Sequence, residues 1–357
     1  MNKIAIVAAV TGAALFASSG VLAQSRDQIR IVGSSTVFPF STAVAEEFGR
    51  SSSFKTPIVE STGSGGGLKL FCSGIGTNHP DITNASRRIK QTEVDLCAQN
   101  GVTDIVEIKI GFDGIVLASD KSAPDMTLSL RDLYLALAAK VPAPGTDGGA
   151  GNMIDNPNKT WADVNPNLPN RPIVVLGPPP TSGTRDAFNE LAIEAGCETF
   201  SGMKAMKKSD SNSYKVLCRG IREDSAFVEA GENDNLIVQK LQANHEAVGV
   251  FGFSFLDQNA DALKAFPVAT EGGEPNEPTF EAISDGAYPI SRSLYFYVKK
   301  AHVDVVPGIR EYLSAFTSEQ AMGDFGYLAD RGLIPLPEDE RAKYQADANA
   351  LTNLQLD

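Results

Sequence analysis

The apolar and polar positions of this chain repeat one unit four times. A short apolar run breaks into Gly, Ser and Thr, and a helix-like spacing follows at once. The runs are residues 29–33 before Ser34-Ser35-Thr36, 57–60 before Ser61 to Gly67, 81–83 before Asn84-Ala85-Ser86-Arg87, and 173–177 before Thr181-Ser182-Gly183-Thr184-Arg185. After the first break, Phe40, Val44 and Phe48 recur at fourfold spacing, the period of one helix face. Residues 105–110 continue through Gly111-Phe112-Asp113-Gly114 into 115–118, which predicts a strand passing from one domain into another. Ser129-Leu130-Arg131-Asp132 has the form of a capping box, opening a helix with Leu130, Leu133, Tyr134 and Leu137 on one face.

The stretch 142–170, rich in Gly, Pro, Asn and Asp, predicts a long surface excursion with Trp161 as a packing anchor. Residues 247–253 and 288–298 predict two further strands. Residues 303–336 predict two helices against the first domain, and 337–357 an acidic, loosely attached tail. Strands alternating with helices imply an α/β fold with mainly parallel sheets. One strand going over and one returning imply two lobes, the first discontinuous, with a ligand cleft between them.

With 357 residues at 42% hydrophobic, the chain exceeds what one core ordinarily holds, in agreement with two domains. A formal charge of −13 argues against nucleic acid and anionic membrane surfaces as partners. The start (Met1-Asn2-Lys3, an apolar stretch, then Val21-Leu22-Ala23) reads as a secretory leader over residues 1–23. An even cysteine count in an exported chain favours disulfides, and the simplest of three pairings joins Cys72 to Cys97 and Cys197 to Cys218. Neither the cysteines nor the scattered His79, His245 and His302 match a metal motif, so no metal or other cofactor is expected.

Each Gly/Ser/Thr break would present backbone N–H groups, small hydroxyls and a helix dipole's positive end to one point, an anion-binding arrangement. Four of them imply one oxyanion held by many neutral donors. Gly65-Gly66-Gly67 would let the backbone approach such a ligand. No Gly-Lys-Ser/Thr completes a nucleotide-binding loop. Arg87 and Arg185 are the candidate cations, able to add charge-assisted bonds, whereas Arg88 is expected to face water. A hydrolase with Ser182 as nucleophile is the contrasting class, but no Gly-x-Ser-x-Gly elbow is present.

At these residues the chain resembles the substrate-binding proteins of phosphate ABC transporters. The matching pieces are Gly33-Ser34-Ser35-Thr36-Val37-Phe38-Pro39, Gly63-Ser64-Gly65-Gly66-Gly67-Leu68-Lys69, Asp81-Ile82-Thr83-Asn84-Ala85-Ser86-Arg87, Thr181-Ser182-Gly183-Thr184 and Tyr288-Pro289-Ile290-Ser291-Arg292. The resemblance implies a bilobed periplasmic-binding-protein fold of type II, with two mainly parallel sheet domains and a two-strand hinge. Lobe 1 would comprise residues 24–112 and 287–357, and lobe 2 residues 113–286. It implies a non-enzymatic, periplasmic, monomeric receptor that delivers inorganic phosphate to an inner-membrane permease.

The ligand set carried over is Ser35, Thr36 and Val37 at the first turn, Ser64, Gly65 and Gly66 at the second, Ser86 and Arg87 at the third, and Ser182, Gly183 and Thr184 at the fourth, with Arg185 added as a cation. Arg87 stands where well-known members carry an Asp that accepts a proton-bearing phosphate oxygen. Asp113 is the candidate replacement, and sulfate or another tetrahedral oxyanion is the alternative ligand.

Overall fold

The computed structural model describes residues 26–149, 151–231 and 234–356; the expected leader lies outside them. The strands that build the central sheet are β1 (Arg30–Gly33), β2 (Ile58–Ser61), β3 (Ile82–Ala85), β4 (Ile105–Asp120), β5 (Val175–Gly177), β6 (Phe227–Glu229), β7 (Val248–Gly252) and β8 (Ser291–Lys299). Their order is β2-β1-β3-β8-β4-β7-β5-β6, with Leu263–Ala265 also paired to β4. In the first lobe β1, β2 and β3 are parallel, and β8 runs antiparallel between β3 and β4. In the second, β5, β6 and β7 are parallel, and β7 is antiparallel to β4. Ile31 and Val32 are both buried, as a parallel strand covered on two faces requires.

The helices that matter for the site are α1 (Phe38–Ser51), α2 (Ser64–Phe71), α3 (Gln91–Gln99), α4 (Leu130–Leu137) and α5 (Gly183–Phe188). In α1 the predicted face, Phe40, Val44 and Phe48, is buried. Phe48 meets Tyr312 edge-on with ring centres 5.7 Å apart, which ties α1 to the Ile309–Phe316 helix late in the chain. Full burial of a phenylalanine contributes on the order of 2–3 kcal/mol. The α4 capping box forms as read, with Ser129 accepting from Asp132 N–H and all four predicted apolar residues buried. Trp161 is fully buried. Both disulfides, Cys72–Cys97 and Cys197–Cys218, are present.

β4 crosses between the lobes as one unbroken strand of 16 residues. The return path lies beside it: Ile115 N–H donates to Ile290 O at 2.9 Å, and Tyr288 Oη donates to Ile115 O at 2.9 Å. A third segment joins them. Phe112 and Ile334 exchange both backbone bonds, at 2.8 and 3.1 Å. Gly111 makes this approach possible, because a Cβ there would lie 2.5 Å from Ile334 O, and its φ of +153° disfavours other residues.

Two local expectations fail. The third turn does not enter a helix directly: Arg88-Ile89-Lys90 intervenes before α3, since strand-end Ser86 and Arg87 are held by side-chain partners instead. The tail is not loose. Residues Glu338–Ala350 form a helix whose Arg341 bonds Asp324 Oδ1 at 2.7 Å and Leu336 O at 2.6 Å, and Leu354 N–H then donates to Ile105 O at 2.7 Å.

Candidate oxyanion site

Three of the four turns meet because their strands are neighbours. β1, β2 and β3 are parallel, so their carboxyl ends open on the same edge. Gly33 holds the junction: Ser34 N–H donates to Asn84 O at 3.0 Å, and Thr62 N–H to Gly33 O at 2.8 Å. Gly67 packs against β1, where a Cβ on it would stand 2.4 Å from Gly33 Cα. A Cβ on Gly65 would meet nothing within 4 Å, which leaves the first turn of α2 open. Ser64 opens α2 and Ser86 ends the third turn. Their hydroxyls are 3.0 Å apart, and Ser64 Oγ also accepts from Ser86 N–H.

The fourth turn comes from the opposite lobe and touches the first. Ser182 caps α5 by accepting from Thr184 N–H at 3.2 Å. Gly183 packs so closely that a Cβ would lie 2.7 Å from Ser35 O and 3.0 Å from Thr36 Cα. Ser35 Oγ donates to Asp186 Oδ2 at 2.8 Å, and Thr36 Oγ reaches Gly183 O at 3.5 Å. Val37, the N-cap residue of α1, sends its N–H to Ser34 Oγ at 3.4 Å. Beside this contact a cavity of about 380 Å³ is bounded by Thr36, Asp113 and Ser182 to Thr184, with Phe40 and Phe255 on its apolar side.

The candidate cations are placed differently from one another. Arg87 forms a two-pronged bond to Glu93, at 2.7 and 2.9 Å, which raises the guanidinium pKa. Arg185 is buried in the second lobe, bonded to Pro178 O at 3.0 Å and stacked 4.0 Å over Phe227; desolvation lowers its pKa. Arg88 pairs with Glu107 at 2.9 Å, partly exposed. Arg292 was not among the candidate ligands, although it ends one of the quoted motifs. It faces Asp113 across the β8–β4 ladder. Its Nη2 donates to Thr36 Oγ at 2.6 Å, Nη1 to Glu190 Oε2 at 2.8 Å, and Nε lies 3.6 Å from Asp113 Oδ2. Burial pushes the Asp113 carboxyl above the usual carboxylate range.

A model of the PBP superfamily domain matches residues 21–320. The chain belongs to that superfamily. Among curated superfamily relatives, Protein SphX of Synechococcus elongatus is 31% identical over 312 residues, covering 85% of this chain and 76% of that protein. Phosphate-binding protein PstS of Staphylococcus saprophyticus is 28% identical over 318 residues, covering 88% and 82%. The crystal structure of a possible phosphate binding protein from Planctomyces limnophilus superposes with a TM-score of 0.69 at 26% identity, over 91% of this chain and 99% of that one. As in other PBP superfamily members, the chemistry open to this cleft is the binding of a ligand. His79 bonds Ser73 at 2.8 Å, His245 and His302 pair with Asp120 and Asp81, and Ser182 Oγ caps α5, so among the described residues Ser182 has no histidine base beside it. Among the described residues no group of His, Cys, Asp and Glu could hold a metal ion.

Proposed function

We propose that this chain is an exported, non-enzymatic receptor that binds inorganic phosphate between its lobes and delivers it to an ABC transporter permease. The observation that carries the reading is the meeting of the first and fourth turns across the cleft, where Ser35 bonds Asp186 and Thr36 reaches Gly183 O, in a chain whose relatives include a named phosphate-binding protein. Closure would complete one site from two half-sites, one per lobe, and the ligand would favour the closed form by binding it better. Lobe 1 would be residues 24–112 with 287–357, and lobe 2 residues 113–286. Cleavage of the leader would release a soluble, monomeric protein into the periplasm.

The ligand set is Ser35, Thr36, Val37, Ser64, Gly65, Gly66, Ser86, Ser182, Gly183 and Thr184; Arg87, held by Glu93, leaves the expected set. Asp113, which lines the cavity, would act as acceptor for a protonated phosphate oxygen. Micromolar binding requires about 8 kcal/mol, which several charge-assisted bonds at ~1.5–3 kcal/mol each can supply after desolvation. Calorimetric titration of the mature protein with phosphate, repeated in excess sulfate, tests the proposal. One-to-one binding that sulfate leaves unchanged is the expected result. Displacement by sulfate would make this a receptor for tetrahedral oxyanions in general, and no heat with either would overturn the reading.

A further inference from the structure

The helix face that carries the fourth turn presents more than Gly183 to the first lobe. Gly183, Asp186 and Glu190 are spaced by three and four residues, which aligns them on one side of the helical run that continues past α5. Helical side chains lean towards the N-terminus, so both carboxylates are carried back towards the Ser182-Gly183-Thr184 turn. Asp186 accepts the Ser35 hydroxyl at 2.8 Å, and Glu190 accepts Arg292 Nη1 at 2.8 Å. A hydroxyl of the first turn and a guanidinium bonded to that turn's Thr36 are therefore both satisfied by anionic groups of the opposite lobe.

Arg292 is placed to do what Arg87 and Arg185 were expected to do. Arg87 is committed to Glu93, and Arg185 to Pro178 O and the Phe227 ring. The Arg292 side chain is only 9% exposed and touches the first turn, the crossing strand and the second lobe together. Its Glu190 partner is 48% exposed, so that pair is open to water and weak enough to be exchanged. We propose that Arg292 supplies the charge that holds the oxyanion, and that Asp186 and Glu190 compete with the anion for first-lobe donors. The inference rests on the oxyanion-receptor reading above and adds to it a cation and a built-in competitor.

A competing internal contact raises the apparent dissociation constant by the factor with which it occupies the donors. Removing it therefore tightens binding, while the unliganded lobes lose a clasp. Titration with inorganic phosphate and small-angle X-ray scattering without phosphate are run on wild type, Glu190→Gln, Asp186→Asn/Glu190→Gln and Arg292→Lys, with Arg88→Ala as control. The expected result for Glu190→Gln is about threefold or tighter binding, with a larger radius of gyration before phosphate is added. The double variant moves further the same way, and Arg292→Lys loses affinity at least tenfold. Unchanged or weaker binding in Glu190→Gln, a partly exposed position whose replacement leaves the core intact, overturns the competitor role. Arg292→Lys binding as tightly as the control overturns the cation role. Wild type giving no heat with phosphate would instead overturn the receptor reading on which both roles rest.

Discussion

At the scale of single residues, the contact between the first and fourth turns makes one substitution decisive. Gly183→Ala keeps the backbone N–H but places a methyl 2.7 Å from Ser35 O, across the interlobe contact. The expected outcome is a loss of phosphate affinity of tenfold or more by calorimetry, with the melting temperature within a few degrees of wild type. A large stability loss without an affinity loss would mean that Gly183 serves folding rather than closure. Ser35, Thr36, Ser182, Gly183 and Thr184 were legible in the sequence because a turn's composition states what it can donate. Arg292, Asp186 and Glu190 were not. An arginine on a strand and two acidic residues on a helix are ordinary locally, and only the β8–β4 register and the helix orientation bring them to Thr36 and Ser35.

At the scale of elements, periodicity recovered α1, α4 and the crossing strand, whose apolar positions repeat cleanly. It misjudged the tail, because Glu338–Ala350 is polar nearly all round and is fixed by Arg341 and β4 rather than by an apolar stripe. The end of β8 away from the cleft carries a charge that periodicity could not have placed inside. Lys299 is fully buried, its Nζ donating to Gly74 O at 2.6 Å and lying 5.0 Å over Phe71. Desolvation lowers its pKa to about 8. Between pH 8 and the unfolded lysine value near 10.4, the folded chain has released this proton while the unfolded chain still binds it. Stability contributed by this group therefore rises with pH through that window. The difference in unfolding free energy between wild type and Lys299→Met should shift in favour of wild type from pH 7.5 to 10. A flat difference would show that Lys299 titrates alike in both states.

At the scale of the whole molecule, the crossing is braced by three segments rather than two, since Ile334 lies on Phe112 beside the strand that carries Asp113. On that strand Asp113 lines the cavity, and Arg292 Nε lies 3.6 Å from its carboxylate. The remaining charge works against capture. A formal charge of −13 repels a divalent anion over distances set by the Debye length, about 30 Å at 0.01 M salt and 8 Å at 0.15 M. The donors of the cleft set up a second, local field that acts over only a few ångströms. Encounter is governed by the first field and retention by the second. Raising sodium chloride from 0.01 to 0.15 M should therefore accelerate phosphate association about two- to fivefold, opposite to the usual effect of salt on steered ligands. Stopped-flow fluorescence with a dye at the cleft edge measures that rate directly. Slower association in salt would mean that the cationic groups of the site extend their field beyond the cleft mouth and outweigh the acidic surface.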